Sequence, residues 1–149
     1  HASGGSAMMK AAADAAVKAA SATASAKPLV IAVTVLTSMN DAALKEVGVE
    51  RPMVDQVVHL AKLSKASGLD GVVASPQEIT AIRAACGPGF QIVTPGIRPA
   101  DQQGKDDQAR TLTPAEAIQA GATYLVIGRP ITGAPDPRKA AEAILATLP

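Results

Sequence analysis

Short apolar runs alternate with longer amphipathic stretches along the whole chain. Residues 29–36 form a continuous, mostly β-branched run, and shorter apolar runs follow at 68–74, 90–95 and 123–127. Continuous runs of this kind are typical of strands in a parallel sheet, where both faces are covered. The pattern therefore predicts four strands, the first of them buried on both faces.

Helix-forming segments separate these runs. Residues 6–20 are mostly Ala, Met and Lys without Gly or Pro, a composition that favours a helix. One face of this helix can hold Met8, Met9, Ala12, Ala16 and Ala19. A second helix is predicted over residues 53–66, because near-helical apolar spacing follows directly after Pro52.

Two further helix starts have the Ser/Thr-x-x-Glu spacing of a capping box, in which each side chain bonds to the other residue's backbone N–H. Ser75 and Glu78 have this spacing ahead of one predicted helix, and Thr113 and Glu116 have it ahead of the next. Asp136 is predicted to cap a last helix over residues 138–148.

Strands that alternate with helices, without a linker, predict a single α/β domain with a parallel sheet over residues 1–149. Two architectures fit this order: a small doubly wound sheet, or part of a (β/α)₈ barrel. A complete barrel normally takes roughly 250 residues. A whole barrel therefore does not fit in this chain.

Composition and charge exclude several classes of function. The 14 Lys and Arg nearly balance the 13 Asp and Glu, and aromatic residues make up only 1% of the chain. Nucleic-acid binding by charge or by base stacking is therefore not expected, and no apolar run approaches the roughly 18 residues of a membrane helix. One cysteine excludes an intramolecular disulfide and a Cys-rich metal site, and fits a reduced, cytoplasmic setting.

Candidate chemistry lies just after the predicted strands, where α/β proteins place their functional loops. Gly96 and Arg98 follow the third strand, and Gly128 and Arg129 follow the fourth. Glycine lets a backbone N–H approach a ligand, and arginine offers a bidentate fork to phosphate or carboxylate. Thr37 follows the first strand, where its hydroxyl could contact a ligand or cap a helix.

The polar stretch at residues 99–111 is long for a connection from strand to helix, for which about 2–6 residues is usual. Two interpretations fit: a lid over a ligand, or a solvated insertion. No spacing of His, Cys, Asp and Glu in the chain matches a metal site.

Five motifs in one register resemble bacterial-type orotidine 5′-phosphate decarboxylases. They are V-T-V-L-T-S-M at 33–39, D-G-V-V-A-S-P-Q-E at 70–78, V-T-P-G-I-R-P at 93–99, D-Q-A-R at 107–110 and Y-L-V-I-G-R-P-I-T at 124–132. The resemblance implies a homodimeric (β/α)₈ barrel that converts orotidine 5′-phosphate to UMP and CO₂ in pyrimidine biosynthesis. It also implies a cytoplasmic enzyme, a carbon–carbon lyase, that uses no cofactor.

The resemblance also implies roles for five residues. Thr37 matches a residue that contacts the pyrimidine, Arg98 a ligand-side arginine, and Gln108 the glutamine of a phosphate-gripping loop. Gly128 and Arg129 match the pair that binds the 5′-phosphate through a backbone N–H and a guanidinium.

The family's catalytic lysine and its D-x-K-x-x-D element have no match in this sequence. We therefore expect that the chain is the C-terminal portion of one barrel domain, with strands five to eight, their helices, and the end of strand four at residues 1–5. We also expect it to be inactive by itself and to need the missing N-terminal half. The alternatives are a Mg²⁺-dependent relative of the hexulose-phosphate synthase or keto-gulonate-phosphate decarboxylase type, and a non-catalytic phosphate-binding half-barrel.

Overall fold

The computed structural model describes residues 1–99 and 110–149. Within these ranges, four parallel strands form one sheet in the order β1–β2–β3–β4. The strands are β1 (Ile31–Val33), β2 (Gly71–Val73), β3 (Gln91–Thr94) and β4 (Tyr124–Leu125). The α/β class and the parallel sheet that the sequence predicts are confirmed.

The helices account for most of the remaining described residues. They are α1 (Gly5–Thr23), α2 (Asp41–Glu46), α3 (Met53–Ala66), α4 (Ile79–Cys86), α5 (Pro114–Ala120), α6 (Arg129–Thr132) and α7 (Pro137–Leu145). The helices predicted over 6–20 and 53–66 are confirmed, as is the cap by Asp136, whose carboxylate accepts a hydrogen bond from the Lys139 amide. The short helices α2 and α6 were not predicted, since neither is long enough to show an apolar period.

The two faces of the sheet differ in how they are covered. One face holds Ala32, Val72 and Ile92, which neighbour one another in register and are buried in the main apolar core. Helices α3 and α4, which pack against each other, supply the opposing core residues, among them Val57, Leu60, Ile79 and Ile82. This helix-covered face is the core of the described structure.

The other face is open. It carries the half-buried Val33, Val73 and Val93 in one row, with Tyr124 beside them, half of whose surface is exposed. Ile31 lies on the same face and is also exposed. The prediction that the first strand is buried on both faces is therefore wrong for the described residues, because helices cover one face only. We call this surface the open face.

Two local predictions near the N-terminus are also corrected. In α1 the buried positions are Met9, Ala13 and Ala20. Of the predicted face, Met8, Ala12 and Ala19 are exposed, because the buried stripe 9, 13, 20 lies one residue away from the predicted one. The predicted end of a strand at residues 1–5 forms a turn of 3₁₀ helix at Ala2–Gly4. No helix within residues 1–99 and 110–149 has the length and apolar character needed to cross a membrane.

Candidate functional site at the carboxyl edge of the sheet

Thr37 lies past the end of β1, where the chain leaves the sheet. The last sheet hydrogen bond of this segment joins the Thr34 amide to the carbonyl of Val73 at 3.1 Å. Beyond it, the carbonyl of Leu36 accepts a turn bond from the Met39 amide at 3.0 Å. Thr37 is buried in this turn, which places it at the carboxyl edge of the sheet, as predicted. Its hydroxyl does not cap α2, because Asn40 performs that role.

A buried arginine from a distant part of the chain hydrogen-bonds the backbone around Thr37. Arg110 donates through Nη2 to the carbonyl of Leu36 at 3.0 Å and through Nε toward the carbonyl of Thr37 at 3.4 Å. Its Nη1 forms an ion pair and hydrogen bond with Glu78, which is 1% exposed. Arg110 therefore links the end of β1 to the 3₁₀ turn Pro76–Glu78 that follows β2.

Arg98 lies at the same edge, just past β3, and is also buried. Its amide donates to the carbonyl of Leu112 at 3.0 Å, and its Nη1 donates to the carbonyl of Ile97 at 2.9 Å. Ile97 and Leu112 form an isolated parallel bridge. The turn before Arg98 needs glycine at position 96, where φ is +77°, a conformation that costs other residues strain. Residues 110–112 thus join the ends of β1, β2 and β3.

Gly128 and Arg129 follow β4 and begin α6. The carbonyl of Gly128 accepts hydrogen bonds from the amides of Ile131 at 2.8 Å and Thr132 at 3.0 Å. Gly128 and Arg129 are both exposed. Since β1 and β4 are the outer strands of the sheet, their ends are separated by three strand spacings, roughly 14 Å along the sheet. A ligand that reached both Thr37 and Arg129 would have to span this edge.

Gln108, and most of the stretch 99–111, lie outside the described residues. The roles predicted for Gln108 and for a lid therefore stay predictions. Of the predicted site residues, Thr37, Arg98, Gly128 and Arg129 all lie at the carboxyl edge of the sheet.

Sequence reasoning missed the part played by Glu78 and Arg110. Ser75 caps the 3₁₀ turn as predicted, by accepting a hydrogen bond from the Gln77 amide. The Glu78 carboxylate, predicted to close a capping box with Ser75, forms an ion pair with Arg110. Burial raises the pKa of Glu78 above its ordinary value, although the Arg110 charge opposes that shift. The sequence shows Arg110 only as the last residue of the D-Q-A-R motif. That position does not indicate that its ion-pair partner is Glu78.

The edge is suited to anion binding. Arg98 and Arg129 each follow a strand end, and guanidinium groups bind phosphate or carboxylate through paired hydrogen bonds. Thr94, at the end of β3, is buried, and its hydroxyl has no hydrogen-bond partner among the described residues. Within those residues, no group of three or more His, Cys, Asp and Glu side chains is placed to hold a metal ion.

Comparisons with known proteins show which family the chain resembles. Residues 1–144 match the family described as orotidine 5′-phosphate decarboxylase / HUMPS family. The chain is 58% identical over 149 residues to an orotidine 5′-phosphate decarboxylase of Moorella thermoacetica, covering 99% of this chain and 59% of the relative. It is 58% identical over 145 residues to that of Trichlorobacter lovleyi, covering 97% of this chain and 59% of the relative.

A solved structure of orotidine 5′-phosphate decarboxylase from Lactobacillus acidophilus superposes with a TM-score of 0.80 at 42% identity, covering 98% of this chain and 60% of that protein. The chain thus spans about three fifths of the length of these relatives. Because the family match takes in nearly all of the sequence, the chain belongs to the orotidine 5′-phosphate decarboxylase / HUMPS family.

Proposed function

We propose that this chain is part of an enzyme that decarboxylates orotidine 5′-phosphate to UMP in pyrimidine biosynthesis. The observation that carries the proposal is the 58% identity, over 99% of the chain, to a relative named as that enzyme. The positions of Thr37, Arg98, Gly128 and Arg129 at one edge of the sheet support it, since one ligand could reach them from there.

In this proposal the edge binds the two ends of the nucleotide separately. Arg129 and the Gly128 amide hold the 5′-phosphate after β4, and Thr37 contacts the pyrimidine after β1. Arg98 contributes from β3, and Gln108 contributes from the stretch that follows it. These residues bind and orient the substrate, and no cofactor takes part.

The bond-breaking chemistry lies elsewhere in the complete protein. Loss of CO₂ leaves a carbanion on the pyrimidine, which a lysine would stabilise and protonate to give UMP. The matching lysine and aspartates are absent from this sequence. We therefore propose that residues 1–149 are the C-terminal portion of one (β/α)₈ domain, in which β1–β4 are the last four strands. The open face of the sheet supports this, because in a closed barrel it would face the packed interior.

The test is a chimera in which the part of the Moorella thermoacetica relative outside the matched region is placed ahead of His1. We expect the purified chimera to convert orotidine 5′-phosphate to UMP and the isolated 149-residue chain to be inactive. The assay is run in a host that lacks its own decarboxylase. A folded chimera that releases no CO₂ would contradict the proposal, as would turnover by the isolated chain. Activity on a ketose phosphate with Mg²⁺ instead would favour the alternative within the family.

Arg129→Ala in the chimera tests the phosphate assignment. A charge-assisted hydrogen bond contributes about 1.5–3 kcal/mol, so kcat/KM for orotidine 5′-phosphate should fall at least about tenfold. A truncated substrate without phosphate never contacts Arg129, so its slow reaction should barely change. Arg138→Ala is the matched control, because Arg138 is exposed on α7 and pairs there with Glu142. Equal losses with both substrates would show that Arg129 supports the fold and would overturn the assignment.

The homodimer and the cytoplasmic location that the sequence resemblance implies stay predictions. Sedimentation of the chimera measures the first directly.

A further inference from the structure

Arg110 is a buried cation whose hydrogen bonds go to backbone carbonyls and to one carboxylate. Only 8% of its surface is exposed. Two of its nitrogens are directed at consecutive carbonyls, those of Leu36 and Thr37, and the third pairs with Glu78. A planar guanidinium can serve three acceptors in this way, whereas an ammonium group acts as a point charge.

The segment that Arg110 holds makes few backbone hydrogen bonds with the rest of the described residues. Sheet pairing ends at Thr34, and the described backbone bond beyond it is the turn from the Met39 amide to the carbonyl of Leu36. The Arg110 bonds add a second contact to Leu36 and reach Thr37 itself. Arg110 therefore hydrogen-bonds the backbone carbonyl on each side of the Thr37 Cα atom, from which the Thr37 side chain extends.

Glu78 fixes the guanidinium in turn. It lies on the 3₁₀ turn directly after β2 and is almost completely buried. A buried ion pair of this kind contributes little net stability, because desolvation offsets much of the attraction between the charges. Its consequence here is geometric: Glu78 orients the guanidinium so that its other two edges face the end of β1.

We propose that Arg110 and Glu78 are positioning residues, which place Thr37 against the pyrimidine without touching the substrate themselves. This inference rests on the proposed function, since it assigns the base to Thr37. The phosphate would lie at Arg129, which follows β4 at the far end of the same carboxyl edge. Arg110 and Glu78 should therefore affect recognition of the base and leave phosphate binding unchanged.

The test is a double-mutant cycle in the chimera, with binding of UMP and of ribose 5-phosphate as the readouts. Arg110→Lys keeps a charge beside Glu78 but cannot also reach both carbonyls. We expect Arg110→Lys to raise the dissociation constant of UMP about tenfold, as loss of a hydrogen bond to a charged group does. The dissociation constant of ribose 5-phosphate should change by less than about twofold. Thr37→Ala removes the positioned side chain. Adding Arg110→Lys to this variant should therefore weaken UMP binding by less than about a further twofold.

Arg83→Lys is the matched control. Arg83 also donates to several backbone carbonyls, among them that of Gly121 at 2.8 Å, but it lies at the amino ends of β3 and β4. Arg83→Lys should lower the melting temperature. Any loss of affinity should be equal for UMP and ribose 5-phosphate, and its effect on UMP binding should add to that of Thr37→Ala. If Arg110→Lys does not fold, Glu78→Gln goes through the same cycle under the same criteria.

The outcomes separate this inference from the function on which it rests. A folded wild-type chimera that neither binds UMP nor turns over orotidine 5′-phosphate contradicts the proposed function. With an active chimera, an Arg110→Lys loss that is equal for both ligands, or undiminished in the Thr37→Ala background, overturns the positioning role.

Discussion

At the scale of single residues, Asp70 secures the amino ends of the strands much as Arg110 secures the carboxyl edge. Its carboxylate accepts hydrogen bonds from the Lys27 ammonium at 2.6 Å and from the Val30 amide at 2.8 Å. Its own amide donates to the carbonyl of Val30, and its carbonyl accepts from the amide of Gln91. One residue thus connects the chain segments that lead into β1, β2 and β3.

These contacts give the stability of the fold a pH dependence. Burial raises the pKa of Asp70, but the hydrogen bonds from Lys27 and Val30 outweigh it, so the pKa lies below the ordinary value of 3.8. A carboxyl group with a lowered folded pKa stabilises the protein above its unfolded pKa, and that contribution is lost as the pH falls through the folded value.

We therefore expect Asp70→Asn to destabilise the chimera at pH 7 by roughly 1–2 kcal/mol, the range of a hydrogen bond to a charged group after discounting for partial exposure. The difference from wild type should shrink as the pH falls below 3.8. Thermal unfolding at a series of pH values measures both. Asp14→Asn is the control, since Asp14 lies on the surface and pairs there with the exposed Lys10. A deficit that stays constant down to pH 2 would contradict this account.

At the scale of elements, β2 and β3 approach so closely that only glycine fits at position 71. A Cβ atom built there would lie 2.3 Å from the carbonyl oxygen of Gln91 and 2.6 Å from its Cβ. Both atoms belong to a paired strand and cannot move aside without separating the two strands. The sequence showed Gly71 as an ordinary start to an apolar run, because the distance to a neighbouring strand is not encoded locally.

Gly71→Ala should therefore be strongly destabilising in the chimera. Overpacking of this kind costs about 1–3 kcal/mol or more, which would appear as a lower denaturant midpoint with an unchanged slope. Gly89→Ala is the matched control, because Gly89 is exposed and a Cβ there meets no heavy atom within 4 Å. Equal midpoints for the two variants would mean that β2 and β3 are not held at this distance.

Two similar sequence patterns at helix starts show where local reasoning succeeds and where it fails. Thr113 and Glu116 form the predicted capping box, and the hydrogen bonds from Thr113 hold the pKa of Glu116 below its usual value. Ser75 and Glu78 have the same spacing, yet Glu78 pairs with an arginine 32 residues further along the chain. A capping box requires only local contacts, whereas a buried ion pair depends on how distant strands are brought together. The same limit explains why strand-end positions such as Thr37 and Arg98 were predicted but their partners were not.

At the scale of the whole molecule, the open face is the main departure from what the apolar runs predict. The strand pairings place Ile31, Val33, Val73, Val93 and Tyr124 on this face. Val126 follows β4 directly, and its amide donates to the carbonyl of Thr94 at 2.9 Å, so the alternation that begins at Tyr124 puts Val126 on the same face. Tyr124 and Val126 are both 50% exposed, and Ile31, in the strand predicted to be buried on both faces, is 37% exposed. The sheet also ends at β1 and β4, which each pair on one side only among the described residues. An apolar face between two unpaired edges favours association with other chains.

If the open face is the interior of a barrel, a charge placed on it should act in opposite ways on the isolated chain and on the chimera. The isolated chain should associate in sedimentation experiments, and Val126→Lys should reduce that association by placing a charge on the open face. In the chimera the same substitution should have the opposite effect, because it buries an unpaired ammonium, and should lower the stability by several kcal/mol. Val47→Lys is the control, since Val47 is 65% exposed and lies outside the sheet, so it should change neither protein appreciably. If Val126→Lys is tolerated in a folded, active chimera, or if the isolated chain is a compact monomer that melts cooperatively, the open face is not the interior of a barrel.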